Sequence, residues 1–118
     1  MLIDFDKLVE FIAGDATVLR EYYNPNSKSM ELAHSLAHAK VLPKGISKPH
    51  ALKATEIYLI QSGKGIMHLD DKIFDVKTSD VVIIPPNSVQ FIENNTDEDL
   101  TFFCIVEPAW KPEDEIII

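Results

Sequence analysis

The chain has 118 residues, 46% of them hydrophobic and 25% charged, enough for one hydrophobic core and ordinary for a globular domain. Its formal charge of −8 argues against binding a nucleic-acid backbone or an anionic membrane surface, both of which need a basic face. No apolar run approaches the ~20 residues that cross a bilayer, the acidic start Met1–Lys7 lacks a basic leader before a long apolar stretch, and the single cysteine, Cys104, fits a buried thiol in a reducing, cytoplasmic setting.

Residues 1–16 place Phe5, Leu8, Val9, Phe11 and Ile12 at helix-like spacing closed by Gly14-Asp15, which predicts some helix in a short N-terminal arm. Thr17–Tyr23 reads as a strand closed by the turn-forming Asn24-Pro25-Asn26-Ser27. From Ser35 onward the pattern is of strands: Ser35–Leu42, Glu56–Gln61, Ile66–Leu69, Lys72–Val76, Val81–Ile84, Val89–Asn94 and Leu100–Glu107. Between them stand Pro43-Lys44-Gly45, Gly63-Lys64-Gly65, Asp70-Asp71, Pro85-Pro86-Asn87 and the acidic loop after Asn95. Asp70-Asp71 has the length of a tight hairpin turn. Short strands punctuated in this way predict an all-β domain of antiparallel sheets, a sandwich or barrel. The domain spans residues 1–118, with an arm (1–34), a barrel (35–107) and a tail (108–118) whose three terminal isoleucines are expected to cover apolar surface on this barrel or on a second copy.

Two segments carry a more specific signal. The first contains Gly45, His50, Leu52, Glu56 and Gly63; the second contains Ser79-Asp80, Pro85-Pro86-Asn87, Gln90 and Asn94. Together they resemble the paired motifs of the cupin superfamily, in which a glycine, His-x-His, a glutamate and a second glycine are followed by Gly-Asp, Pro-x-Gly, a histidine and an asparagine. Leu52 stands at the second histidine, Gln90 at the third, and Ser79 and Asn87 at two glycines, and the gap from Gly45 to His50 is one residue short. The resemblance implies a cupin jelly-roll, or double-stranded β-helix, barrel. Thr17–Glu21, Ser35–Ala39, Glu56-Ile57-Tyr58, Ile84–Pro86, Gln90 and Cys104–Trp110 further resemble small single-domain cupins labelled mannose-6-phosphate-isomerase-like. A jelly roll hosts many unrelated activities, so that label implies sugar chemistry by analogy alone.

Strand alternation puts His50 with Leu52, Glu56 with Tyr58 and Ile60, and Gln90 with Ile92 and Asn94 on common faces. The resemblance implies that these faces line the barrel interior. It places His50 and Glu56 at metal-ligand positions, Gln90 at a ligand position of changed chemistry, and Leu52 where no ligation is possible. An amide oxygen is a weaker, harder donor than imidazole, so His50, Glu56 and Gln90 form a poor set for Zn or Ni and suit Mn or Mg better. Two readings stay open: a weakly held divalent ion (Mn, Zn, Fe or Ni), or no metal and a polar pocket of His50, Glu56, Tyr58 and Gln90. In either, Glu56 and His50 are the candidate catalytic pair, acid and base, and Tyr58, Gln90, Leu52 and Arg20 the candidate ligand contacts. The function expected is small-molecule binding, with isomerisation or epimerisation of a sugar or sugar phosphate foremost, a non-catalytic sensing module second and a metal-dependent oxygenase third. A homodimer is the expected assembly, since pairing covers sheet edges. His34 and His38 are expected to share one strand face, His68 to point outward, and Trp110 to anchor the tail or offer a stacking surface.

Overall fold

The structure, a computed structural model, describes residues 1–118 as two packed antiparallel sheets. One sheet has six strands in the order β1 (Phe11–Ile12), β2 (Val18–Tyr23), β3 (Ser35–Val41), β10 (Leu100–Glu107), β5 (Thr55–Ser62) and β8 (Val81–Ile84). The other has five, β11 (Glu115–Ile117), β4 (His50–Leu52), β9 (Gln90–Glu93), β6 (Lys64–Leu69) and β7 (Lys72–Lys77). The spacing of short strands predicts such an all-β domain, and the cupin resemblance implies its jelly-roll form. No helix is long and apolar enough to cross a membrane.

Alternation along the strands decides which side chains meet. On β5, Glu56, Tyr58 and Ile60 are buried while Leu59 is exposed; on β9, Gln90 and Ile92 are buried; on β10, Leu100, Phe102, Cys104 and Val106 are buried. These inward positions form a main core around Phe102, Ile60, Met67, Ile84, Ile92 and Leu100, with a separate small cluster of Leu52, Ala54 and Val106 against Trp110. Area removed from water by such side chains stabilises by about 1.5–3 kcal/mol each.

The turns follow local chemistry. Leu69 and Lys72 pair across Asp70-Asp71, with Asp70 at a positive φ of 53°. Ser79 and Asn87, which stand where the cupin motifs carry glycine, adopt φ of 76° and 68°. The backbone conformation is thus kept without the glycines, readily for Asn and at about 1–2 kcal/mol for Ser. Gly65 has no such freedom, because a Cβ there would lie 2.7 Å from the Leu100 side chain and 2.9 Å from the Glu93 carbonyl. Asn94, 1% exposed, sets its amide nitrogen within hydrogen-bond distance of the Val41, Leu42 and Glu98 carbonyls and closes the 94–98 loop.

The two ends of the chain differ from expectation. The arm's helix reduces to one 3-10 turn, Phe5–Lys7, because Phe11 and Ile12 pair with Leu19 and Val18 instead. β2 pairs along β3, so residues before Ser35 are part of the barrel wall. The tail adds β11, with Glu115 opposite Leu52 and Ile117 opposite His50, while Ile116, Ile117 and Ile118 stay exposed.

Candidate functional site

A cavity of about 130 Å3 lies between the main core and the small Leu52 cluster. Ala37 and Ala39 on β3 leave its space, and Leu19, Phe102, Cys104 and Val106 supply apolar wall. Its polar groups are Asp15, Thr17, Glu21, Ser35, His50, Glu56, Tyr58 and Glu115, and no lysine or arginine lines it.

His50 enters from β4, and its Nδ1 lies 2.8 Å from the Lys48 carbonyl. A carbonyl only accepts, so Nδ1 carries a proton and Nε2 is the atom turned to other partners. Nε2 lies 3.7 Å from Asp15 Oδ2. Asp15 is itself fixed, because its Oδ1 accepts from the Thr17 amide at 3.1 Å and the Thr17 hydroxyl at 2.8 Å. The Lys48 amide also donates to the Asp15 carbonyl at 2.7 Å, tying this turn to the residues that precede His50.

Glu56, Gln90 and Tyr58 form a second unit. Gln90, wholly buried, donates Nε2 to Glu56 Oε1 at 2.8 Å and accepts from the Tyr58 hydroxyl at 2.8 Å. Burial pushes the Glu56 carboxyl from 4.5 up to about 8; the Gln90 hydrogen bond opposes that rise, and the charges of Asp15 and Glu115 add to it. Burial therefore favours the protonated form of Glu56 at pH 7. A carbonyl oxygen accepts better than a hydroxyl oxygen, so the Gln90 bond to Oε1 favours the proton on Oε2. Burial likewise raises half-buried Glu115, against the His50 imidazole and with the Asp15 charge. Burial raises Tyr58 and Cys104 as well, which makes Cys104 an inert thiol.

The structure thus brings His50, Leu52, Glu56 and Tyr58 to one cavity, with Gln90 behind it as a bridge. Arg20 is elsewhere. Strand alternation turns it to the outer face, where its guanidinium donates to the Phe5 carbonyl, pairs with Glu10 and lies 4.6 Å from the Phe5 ring centre. Its neighbour Glu21 takes the inward position. His38 also faces outward, against Gln61 and the Phe5 and Phe103 rings, while His34 precedes β3 and meets Tyr23, so the two share no strand face. His68 stacks on Phe91 and pairs with Glu93 on the outer face of the five-stranded sheet. Asp15 and Glu115 escaped sequence reasoning because each lies in a segment with no recognisable motif, and Glu21 because its neighbour Arg20 reads as the ligand contact.

The chain matches the cupin domain family over residues 37–106. It is a cupin. An uncharacterized protein of Methanocaldococcus jannaschii is 36% identical over 118 residues, covering 98% of this cupin and 92% of that protein. Among solved structures, the plu4264 protein of Photorhabdus luminescens superimposes with a TM-score of 0.75 at 24% identity, covering 97% and 88% of the two chains. A predicted oxalate decarboxylase of Thermotoga maritima gives 0.80 at 20% identity over 92% and 99%. At such identities these two likenesses speak for the fold alone.

The motif positions of this cupin do not fit a metal. No three His, Cys, Asp or Glu side chains converge as a ligand group. Leu52 offers no donor. The Gln90 oxygen, expected as a ligand, is taken by the Tyr58 hydroxyl, and the adjoining Glu56 oxygen by the Gln90 amide. Glu56, Gln90 and Tyr58 thus bond one another, and His50 is held apart from them by the Lys48 carbonyl, so the motif positions do not supply a ligand set.

Proposed function

We propose that this cupin binds a small uncharged hydroxy- or carbonyl-bearing molecule in the barrel and moves a proton on it without a resident metal. The observation that carries this is Glu56, a buried acid that keeps its proton to about pH 8 on the wall of the cavity that His50 also lines. The His50 Nε2 takes the proton from a carbon next to a carbonyl. The Glu56 hydroxyl donates to the carbonyl oxygen as that oxygen gains charge, which lowers the barrier. Asp15, 3.7 Å from Nε2, stabilises the imidazolium so formed. Return of the proton to the former carbonyl carbon, with matching hydroxyl exchange, is isomerisation; return to the opposite face of the original carbon is epimerisation.

This reading agrees with the mannose-6-phosphate-isomerase-like resemblance in reaction class and narrows it in substrate. A phosphate inside the cavity would meet Asp15, Glu21, Glu56 and Glu115 with no lysine or arginine to balance it. Incubation in deuterated water with unphosphorylated three- to six-carbon aldoses and ketoses, followed by NMR, tests the proposal. The proton next to the carbonyl should exchange, and Glu56→Gln should slow exchange by about 100-fold or more. Exchange unchanged in Glu56→Gln removes the mechanism. Eleven of the nineteen lining residues are hydrophobic, which favours one second reading, a binding module without turnover. Tight binding with no exchange in any compound would establish that reading instead.

A further inference from the structure

Two residues of the cavity wall also border a second hollow outside it. This hollow, of about 330 Å3, lies between the Asn24–Ser27 turn and the segment Trp110–Glu113. Glu21 and Trp110 line both spaces and form the threshold between them. Trp110 is held there by its backbone. Its amide donates to Ser35 Oγ at 2.9 Å, and its carbonyl accepts from Asn24 Nδ2 at 2.8 Å and Asn26 Nδ2 at 3.1 Å. Asn24 is 5% exposed and Ser35 4%, so the two segments that shape the outer hollow are locked to each other and to the inner wall.

The two hollows differ in chemistry. The inner one, about 130 Å3, approaches the size of engineered apolar cavities of ~150 Å3 that hold a benzene ring. The outer one has polar walls, with one hydrophobic residue among eight, and sets Lys111 against Glu21 and Glu113. It therefore offers no net attraction to an anion. Trp110, packed against Leu52, Ala54 and Val106, borders both hollows and supplies apolar surface of the kind that suits the C–H face of a hydroxylated chain or ring.

We propose that the outer hollow is a second subsite continuous with the first, and that the ligand is an elongated, uncharged, polyhydroxylated molecule. Its compact end lies in the barrel near Glu56 and His50, and its remainder crosses Trp110 into the groove by Ser27. The inner half of this assignment rests on the function proposed above; the outer half does not.

Trp110 is the only tryptophan of the chain, so its fluorescence reports occupancy of the threshold directly. Glyceraldehyde and dihydroxyacetone serve as short probes, and aldopentoses, aldohexoses and their methyl glycosides as long ones. The long probes should quench Trp110 and bind about ten-fold tighter than the short ones. Ser27→Phe, which fills the groove from an exposed turn, should abolish that advantage and leave short-probe affinity unchanged. Ala37→Leu, which narrows the inner cavity, should weaken both classes, with its thermal melt confirming a folded protein. Long probes that bind no better than short ones, or that ignore Ser27→Phe, overturn the groove and leave the barrel site standing. Absence of binding by every probe, or binding indifferent to Ala37→Leu, overturns the barrel site and the groove together.

Discussion

Gln90 donates its amide to Glu56 at 2.8 Å while accepting the hydroxyl proton of Tyr58, so a residue at a motif histidine position serves as a clamp on a buried acid. Both ends of the carboxamide are in use. The Glu56 carboxyl is thereby held in one orientation, with a proton to give.

Glu56 should make this cupin less stable as pH rises. Its folded-state value, about 8, lies above the ordinary 4.5, so its contribution is fully present below about pH 4.5 and is lost as pH rises through about 8. A shift of this size corresponds to roughly 5 kcal/mol at full ionisation. Glu115, raised in the same direction, slopes stability the same way. Urea midpoints between pH 5.5 and 9 should fall for the wild type and fall far less for Glu56→Gln, which keeps an oxygen for Gln90. A wild type with constant midpoints would show that Glu56 is already ionised.

Gln90→Leu should strand two buried polar groups, the Tyr58 hydroxyl and the Glu56 oxygen. The expected loss is about 2–4 kcal/mol of folding stability, readable by chemical denaturation. The same change removes the hydrogen bond that holds Glu56 down, so the carboxyl should titrate at still higher pH than in the wild type. Carboxyl 13C NMR follows that titration. A downward move would contradict the assignment of donor and acceptor.

Added Mn, Zn or Ni should leave the wild type substoichiometric in metal after desalting, and its melting temperature should ignore both metal and chelator. The double variant Leu52→His/Gln90→His, with His50 and Glu56 already present, supplies three imidazoles and a carboxylate. It should retain metal and melt higher with it than without. Stoichiometric metal in the wild type would overturn the reading of Gln90 as a clamp.

The outward side of β8 and β5 carries Val81, Ile83 and Leu59, exposed by 57%, 64% and 40%, with Leu59 paired to Val81 and Ile57 to Ile83. β8 is also an unpaired edge. Contiguous apolar surface on an edge favours pairing with a second copy. Sedimentation velocity should show a dimer for the wild type and a monomer for Ile83→Lys. A monomeric wild type at micromolar concentration would remove the expectation.

Period-two alternation made much of this fold legible: it set Glu56, Tyr58 and Ile60 on one face of β5 and Gln90 and Ile92 on one face of β9, the resemblance implied that these faces point inward, and the structure buries them. The same rule, applied to β2, gives Glu21 and not Arg20 to the cavity, although the charge of Arg20 made it the more tempting ligand contact. Helix-like spacing misled at Phe11 and Ile12. Two apolar residues next to a strand gain more from pairing with Leu19 and Val18 than from a short isolated helix, whose nucleation is costly.

The sequence by itself determined the all-β class and which side chains share a strand face, because those follow from residue type and spacing. The inward side of those faces and the two missing imidazoles came from the resemblance to the cupin motifs. Tertiary structure decided what those faces do. Asp15 approaches His50 because its turn is bonded to Lys48, and Glu115 reaches the cavity because the tail pairs with β4. The acidity of Glu56 has the same origin: local sequence names the carboxyl, but only the closed barrel takes away the water that would have ionised it.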